Sequence, residues 1–200
     1  MQRPTWDESF MLQAIMAATR GSCLVRYVGA VLVKEKRVIA SGYNGAPPGV
    51  ETCLETQVCF YQDLAHQDSL KGLGSYALLK EQRKDSCSAV HAEKNACAQC
   101  SRFGTSALGS VLFITNFPCP GCVRDAVIPN GISEVVVWKE YLQNPILTMD
   151  ELELSKFWLG QAKIPVRKLE LSQERLREIF NLALSVGDRL PYRFQPTAQE

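Results

Sequence analysis

Histidine is scarce in this chain: His66 and His91 are the only two in 200 residues. No apolar run is long enough to cross a bilayer. The first twenty residues, with Asp7 and Glu8 inside a short apolar stretch, lack a signal-peptide pattern. A cytoplasmic location with no membrane partner is the expectation. The formal net charge is only +1, so no broad field draws the chain to a polynucleotide or an anionic surface, and no nucleic-acid partner is expected. Repeats, low-complexity tracts and an evident interdomain linker are also missing. Cysteine, by contrast, is plentiful, with eight residues at uneven spacing. In a reducing compartment that number favours metal ligation or packing over disulfides.

The apolar pattern predicts layered α/β structure. Thr5 and Glu8 form a capping-box pattern ahead of a helix over 6–20. The β-branched runs 27–33 and 37–43, joined by "KEK", predict a hairpin, followed by turn chemistry in "NGAPPG" (44–49). Residues 50–86 are largely polar, with a short helix expected near 75–84 and His66 expected at the surface. From Ala89 onward helix and strand alternate. Helices are expected over "VHAEKNACAQCSR", 119–128 and 172–184, and from a second capping box (Thr148, Glu151) to Gly160. Strands are expected over 110–115, 133–138 and 163–171. Alternation of this kind argues for helices packed on a sheet.

The densest chemistry lies in "VHAEKNA" and "FPCPGC". Cys119 and Cys122, at i and i+3 on the first turn of a helix, share one face and can reach one ion. The positive end of that helix favours their thiolates. A third ligand is available in His91. Three protein ligands leave a position open, as in catalytic rather than closed structural zinc sites, and water there is acidified towards ~7. Glu93, two residues from His91, is placed to carry that water's proton. A structural zinc beside an unrelated glutamate would require only the histidine and the cysteines. The full pattern H-x-E followed by P-C-x-x-C is the zinc deaminase signature. Cys97 and Cys100, elsewhere on the same helix, read as core.

Four ordered stretches make the resemblance specific: "RGSCLVRYVGAVLVKEKRVIASGYNGAPPGVETC", "VHAEKNA", "FITNFPCPGC" and "GISEVVVW". Over about residues 5–170 the chain resembles the deoxycytidylate (dCMP) deaminase family. The resemblance implies a three-layer α/β/α cytidine deaminase-like fold around a five-stranded mixed sheet. The domain expected is 1–171, with 172–200 as a C-terminal helical extension and tail. It implies hydrolysis of dCMP to dUMP and ammonia, a step towards thymidylate. His91, Cys119 and Cys122 would be the zinc ligands and Glu93 the proton shuttle. Asn44 would contact the nucleotide. The run Gly42, Tyr43, Asn44, Gly45 is associated in the family with a site for Mg-dCTP as activator and dTTP as inhibitor.

The same resemblance implies a homo-oligomer, commonly a hexamer, and a second, structural zinc on Cys23 and Cys53, completed here by Cys59, Cys87 or both. Four buried free thiols are the alternative reading of those cysteines. Arg102 reads either as a subunit contact or as a solvated charge at a helix end. Arg20 and Arg26 read either as phosphate contacts or as surface charges. Two rivals remain at this stage: a deaminase of another substrate (dCTP, tRNA or single-stranded nucleic acid), and a silent zinc protein that senses nucleotides. The modest charge argues against polynucleotides, and an intact Glu93 argues against a silent site.

Overall fold

The computed structural model describes residues 3–59, 87–139 and 149–184. Helix α1 (Trp6–Ala18) opens on the reciprocal cap its sequence predicts: the Glu8 amide donates to Thr5 Oγ1 at 3.2 Å and the Thr5 amide to Glu8 Oε2 at 2.8 Å. Strands β1 (Gly29–Lys34) and β2 (Arg37–Tyr43) form the expected hairpin. Its two turn residues, Glu35 and Lys36, both adopt left-handed φ, 51° and 58°. Such a turn usually takes Asn-Gly. Here the Lys36 ammonium sits 5.8 Å from the centre of the Trp6 ring, which offsets part of the strain.

After the single turn α2 (Cys53–Thr56) come α3 (Ala92–Arg102), β3 (Val111–Asn116) and α4 (Pro120–Cys122). The last runs directly into a π-helical turn, Val123–Val127. Strand β4 (Glu134–Lys139), α5 (Met149–Gln161), β5 (Val166–Lys168) and α6 (Gln173–Leu184) follow. The five strands pair in the order β2-β1-β3-β4-β5, antiparallel through β3 and parallel beyond it. The sheet is therefore mixed, as the resemblance implied.

Period-two alternation divides the core into two layers. Ala30 and Leu32 of β1, Leu112 and Ile114 of β3, and Val135 and Val137 of β4 face α3, the π turn and α5. Val31 and Val33, Phe113 and Val136 face the other way, onto Phe10, Met11 and Ala14 of α1 and Leu176 and Ile179 of α6. This is the expected three-layer α/β/α fold. Helix α6 is also tied to α1 by charge: Arg175 grips Glu8 with Nε–Oε1 at 2.8 Å and Nη2–Oε2 at 3.2 Å. Next to Glu8 on α1, Asp7 pairs at 2.6 Å with Arg167 of β5, which also bridges to Glu134 at 2.9 Å.

No helix among the described residues is long and apolar enough to cross a membrane. His66, the helix expected near 75–84, Thr148 and the tail beyond Leu184 lie outside the described residues. The last strand is shorter than the apolar run 163–171, because Lys163 turns with φ 56° and only Val166–Lys168 reach the edge of β4.

Candidate active site

The helix expected from Val90 starts two residues later. Val90 is claimed by a strand-like bridge to Gly45, with Gly45 N–H to Val90 O at 3.1 Å and Val90 N–H to Gly45 O at 2.9 Å. His91 is therefore the extended N-cap of α3, with φ −71° and ψ 155°, and its ring is free to turn off the helix axis. Cys119 is likewise the extended cap of α4, with Pro120 pre-set for the first helical position and Cys122 on the first turn.

The three side chains meet. His91 Nδ1 lies 3.5 Å from Cys119 Sγ and 3.3 Å from Cys122 Sγ, and all three ligand atoms fall within 4.8 Å of one another. Two donors on a tetrahedral zinc, at ~2.3 Å for sulfur and ~2.0 Å for nitrogen, stand about 3.5 Å apart. The observed spacings fit that requirement, and two soft sulfurs with an imidazole suit zinc. The trio runs from an exposed His91 through a half-buried Cys119 to a buried Cys122.

Electrostatics agree. A hydrogen bond from Cys122 pulls the Cys119 thiol down to about 4 against burial, helped by the His91 ring. Cys122 is pushed up by donating that bond and by burial. His91 is raised, first by its hydrogen bond to Cys119. Glu93, the second residue of α3, is 4% exposed. Burial raises its carboxyl above the ordinary 4.5, while His91 pulls the other way.

The "GYNG" run forms the wall next to His91, and each member has a structural partner. Any Cβ on Gly42 would collide with the Ala92 carbonyl and reach 2.5 Å from the Ala96 nitrogen, so glycine lets the backbone of α3 lie on β2. The Tyr43 carbonyl accepts from Asn95 Nδ2 at 2.7 Å. Asn44, 7% exposed, accepts from the Val28 amide through Oδ1 at 2.7 Å and donates from Nδ2 to the Arg26 carbonyl at 2.9 Å. Its backbone carbonyl takes the Ser22 amide at 3.1 Å. Gly45 leaves room for Ser22, whose Oγ would lie 2.5 Å from a Cβ there. The loop 21–28 is thus stitched to the strand end that precedes His91. Arg26 on that loop is half-buried, Arg20 is exposed, and Arg102 is exposed at the last residue of α3.

The other four cysteines of interest also gather. Burial raises the Cys87 thiol, and negative charge on Cys23, Cys53 and Cys59 would raise it further, which makes these groups neighbours. Cys53 Sγ lies 4.0 Å from Ser88 Oγ. Among the described residues, however, no second set of three ligand atoms closes to within 4.8 Å. Cys97 and Cys100 lie in the core, as expected.

Sequence reasoning missed three residues of α3 that hold this arrangement. Asn95 pins β2, Gln99 Oε1 accepts from the Ser41 amide at 2.7 Å, and Lys94 reaches across to Asp125 at 2.9 Å. The spacing of Asn95 and Gln99, i and i+4, was the available signal for one polar face turned to β2.

The family model for the cytidine and deoxycytidylate deaminase zinc-binding region matches residues 4–139. The chain is 38% identical over 140 residues to the deoxycytidylate deaminase of Mycobacterium phage D29, covering 70% of this chain and 99% of that one. It is 32% identical over 174 residues to ComE operon protein 2 of Bacillus subtilis (strain 168), covering 86% of this chain and 76% of the relative. The crystal structure of the dCMP deaminase of cyanophage S-TIM5 in complex with dCMP and dUMP superposes with a TM-score of 0.58 at 25% identity, covering 84% of this chain and 100% of that one. A match through both halves of the His91 and Cys119–Cys122 constellation, on the mixed sheet that positions them, gives the classification its physical content: the chain belongs to the cytidine and deoxycytidylate deaminase family.

Proposed function

We propose that this protein is a zinc-dependent hydrolase that converts dCMP to dUMP and ammonia. The observation that carries the reading is the convergence of His91 Nδ1 with Cys119 Sγ and Cys122 Sγ beside a buried Glu93. The choice of dCMP is supported by the phage D29 relative, named a deoxycytidylate deaminase, and by the S-TIM5 enzyme seen with dCMP and dUMP.

His91, Cys119 and Cys122 would hold the ion. Zinc in a three-ligand setting supplies an acidified water as nucleophile. With that chemistry supplied, Glu93 would take a proton of the attacking water on a carboxylate oxygen and deliver it to N3 of cytosine, which makes C4 more electrophilic as the water oxygen adds there. Glu93 then carries the second proton to the exocyclic amine, the C4–N bond breaks, and ammonia leaves. Burial suits this work, because it raises the Glu93 carboxyl above its ordinary value and so makes it a better proton acceptor.

The finer reading adds four points. The wall of Gly42, Tyr43, Asn44 and Gly45, with Arg26 on the loop that Asn44 holds, lines the nucleotide site. Mg-dCTP activates and dTTP inhibits there or nearby. The chain works as a homo-oligomer, a hexamer, with Arg102 between subunits. Cys23, Cys53, Cys59 and Cys87 hold a second, structural zinc, a reading supported by the neighbouring placement of their thiols.

Ammonia release from dCMP, dCTP, deoxycytidine and an RNA oligonucleotide, measured side by side, tests the assignment. Turnover of dCMP above the other three is the expected result. Faster turnover of deoxycytidine or of the oligonucleotide would overturn the substrate. Saturation curves that stay hyperbolic and indifferent to Mg-dCTP and dTTP would remove the regulation.

A further inference from the structure

Two ligand-bearing segments must hold a fixed distance for the trio to work, and they are far apart in the chain. His91 caps α3, and Cys119 and Cys122 lie on α4. Among the described residues, two hydrogen bonds join the body of α3 to the turn after Cys122. On the outer side Lys94 Nζ donates to Asp125 Oδ2 at 2.9 Å. On the inner side Cys97 Sγ donates to the Ala126 carbonyl at 3.9 Å. Burial pushes the Cys97 thiol up to about 12, so its proton stays in place to be donated at neutral pH. Lys94 and Cys97 are one turn apart on α3, and Asp125 and Ala126 are consecutive.

The receiving turn is unusual. Val123–Val127 is π-helical, with the Ile128 amide donating to the Val123 carbonyl at 3.0 Å. Such one-turn insertions concentrate at functional sites. Asp125 is held within the turn by its neighbour, with Arg124 Nε–Oδ1 at 2.6 Å and Nη2–Oδ2 at 3.2 Å. Its carboxylate is kept well below the ordinary range by Arg124 first and Lys94 next, so it is charged throughout the neutral range. The Lys94 ammonium is opposed by burial, but Asp125 and the thiolates of Cys122 and Cys119 together outweigh that. Lys94 therefore stands near the ligand sulfurs as well as on the tie.

We propose that Lys94 and Asp125 form a positioning tie that sets the spacing of the two halves of the metal centre, outside the ligand set and on the solvent side, opposite the Cys97–Ala126 contact. This rests on the reading of His91, Cys119 and Cys122 as zinc ligands. The tie acts by geometry rather than by net field. Exchanging the pair reverses the charge beside the ligand sulfurs while keeping the contact, and so separates geometry from field.

Zinc affinity of the full chain, measured by competition with a chromophoric chelator, tests this. The thiolate-to-metal charge-transfer bands of the cobalt(II)-loaded protein give a second readout. Both are to be taken on Lys94→Met, Asp125→Asn, Lys94→Arg and the exchanged pair Lys94→Glu with Asp125→Lys. An ion pair 39% and 37% exposed is modest, so each single neutral variant is expected to weaken zinc on the order of fivefold, and to shift the cobalt bands. Lys94→Arg and the exchanged pair should return to within about twofold of wild type. Single variants within that twofold margin, or an exchanged pair that stays as weak as the singles, would overturn the tie. His91→Ala separates the two levels: if it leaves zinc content and affinity unchanged, the ligand reading itself has failed, whatever Lys94 does.

Discussion

The side-chain amide of Asn44 donates to the backbone carbonyl of Arg26 at 2.9 Å while its oxygen accepts from Val28 at 2.7 Å, so one buried side chain clips the far end of the loop 21–28, and its backbone carbonyl takes the Ser22 amide at the near end, at 3.1 Å. Asn44→Ala leaves an amide and a carbonyl unpaired in a part-buried place, a cost of about 1–3 kcal/mol. Hydrogen exchange of the Val28 amide should quicken on the order of tenfold or more, with a parallel loss of deaminase activity. Asn44→Asp keeps the acceptor, so Val28 should stay protected while the Arg26 contact is lost. Unchanged exchange at Val28 in the alanine variant would rule out the clip.

Gly42 carries the approach of α3 to the sheet. Gly42→Ala sets a methyl against the Ala92 carbonyl and 2.5 Å from the Ala96 nitrogen, both backbone atoms that cannot rotate away. The helix that His91 caps must lift. Overpacking of this kind costs about 1–3 kcal/mol. The expected outcome is a lower melting temperature together with weaker zinc binding, read by calorimetry and chelator competition. A variant that loses stability alone, with zinc affinity intact, would show that α3 shifts without moving His91.

What the sequence revealed and what it hid follow from range. The strands around Val31–Val33 and Val135–Val137 were legible because a short β-branched run is a local signal, whereas which of these residues face which layer was not, since every one of them is apolar. The Thr5–Glu8 cap was legible for the same reason. His91, Glu93, Cys119 and Cys122 stood out because their spacing on two short segments is a chemical requirement. The start of α3 was not legible, since Val90 is taken out of the helix by Gly45, 45 residues earlier. Nor was the Lys94–Asp125 contact, which joins two surface charges that no local pattern distinguishes from solvated ones. The hairpin at "KEK" was legible, but the left-handed backbone of Glu35 and Lys36 was not, because its compensation, the Trp6 ring, comes from another element.

The ion pair between Glu8 and Arg175 makes part of the stability depend on acid. Glu8 is held below the ordinary 4.5, first by its hydrogen bonds with Arg175 and then, against burial, by Thr5. A depressed carboxylate contributes stability that is fully present above the unfolded value and is lost as pH falls through the folded one. Arg175→Gln should therefore lower the melting temperature at neutral pH by about 2–4 °C. That difference should shrink below pH 4.5 and vanish once Glu8 is protonated in both states. A difference of constant size across that range would mean that Arg175 acts through packing on α1.

The four-thiol neighbourhood predicts a metal count. If Cys23, Cys53, Cys59 and Cys87 close around zinc, the wild-type chain should carry about two ions, one open and one closed. Cys53→Ser should then lose one, with stability falling more than the chemical step. Elemental analysis of protein purified without added metal decides it. One ion per wild-type chain, retained in Cys53→Ser, would leave these cysteines as buried thiols.

Glu93 supplies the sharpest test of the mechanism, because its position separates two roles that sequence proximity to His91 leaves entangled. It lies on the first turn of α3, 4% exposed, and is not among the three donors that close on one another within 4.8 Å. A ligand lost would take zinc with it, whereas a proton carrier lost would leave zinc in place and stop turnover. Glu93→Gln keeps the shape and the hydrogen-bonding reach of the side chain but cannot accept the proton of water. General acid–base groups contribute ~10²–10⁴-fold, and this one moves a proton twice, so kcat should fall at the upper end of that range or beyond. Zinc content and affinity for the product dUMP should stay near wild type. Turnover within about tenfold of wild type would fall short of what a proton carrier contributes, and would remove Glu93 from the reaction. Loss of zinc in the Gln variant would instead make it a ligand.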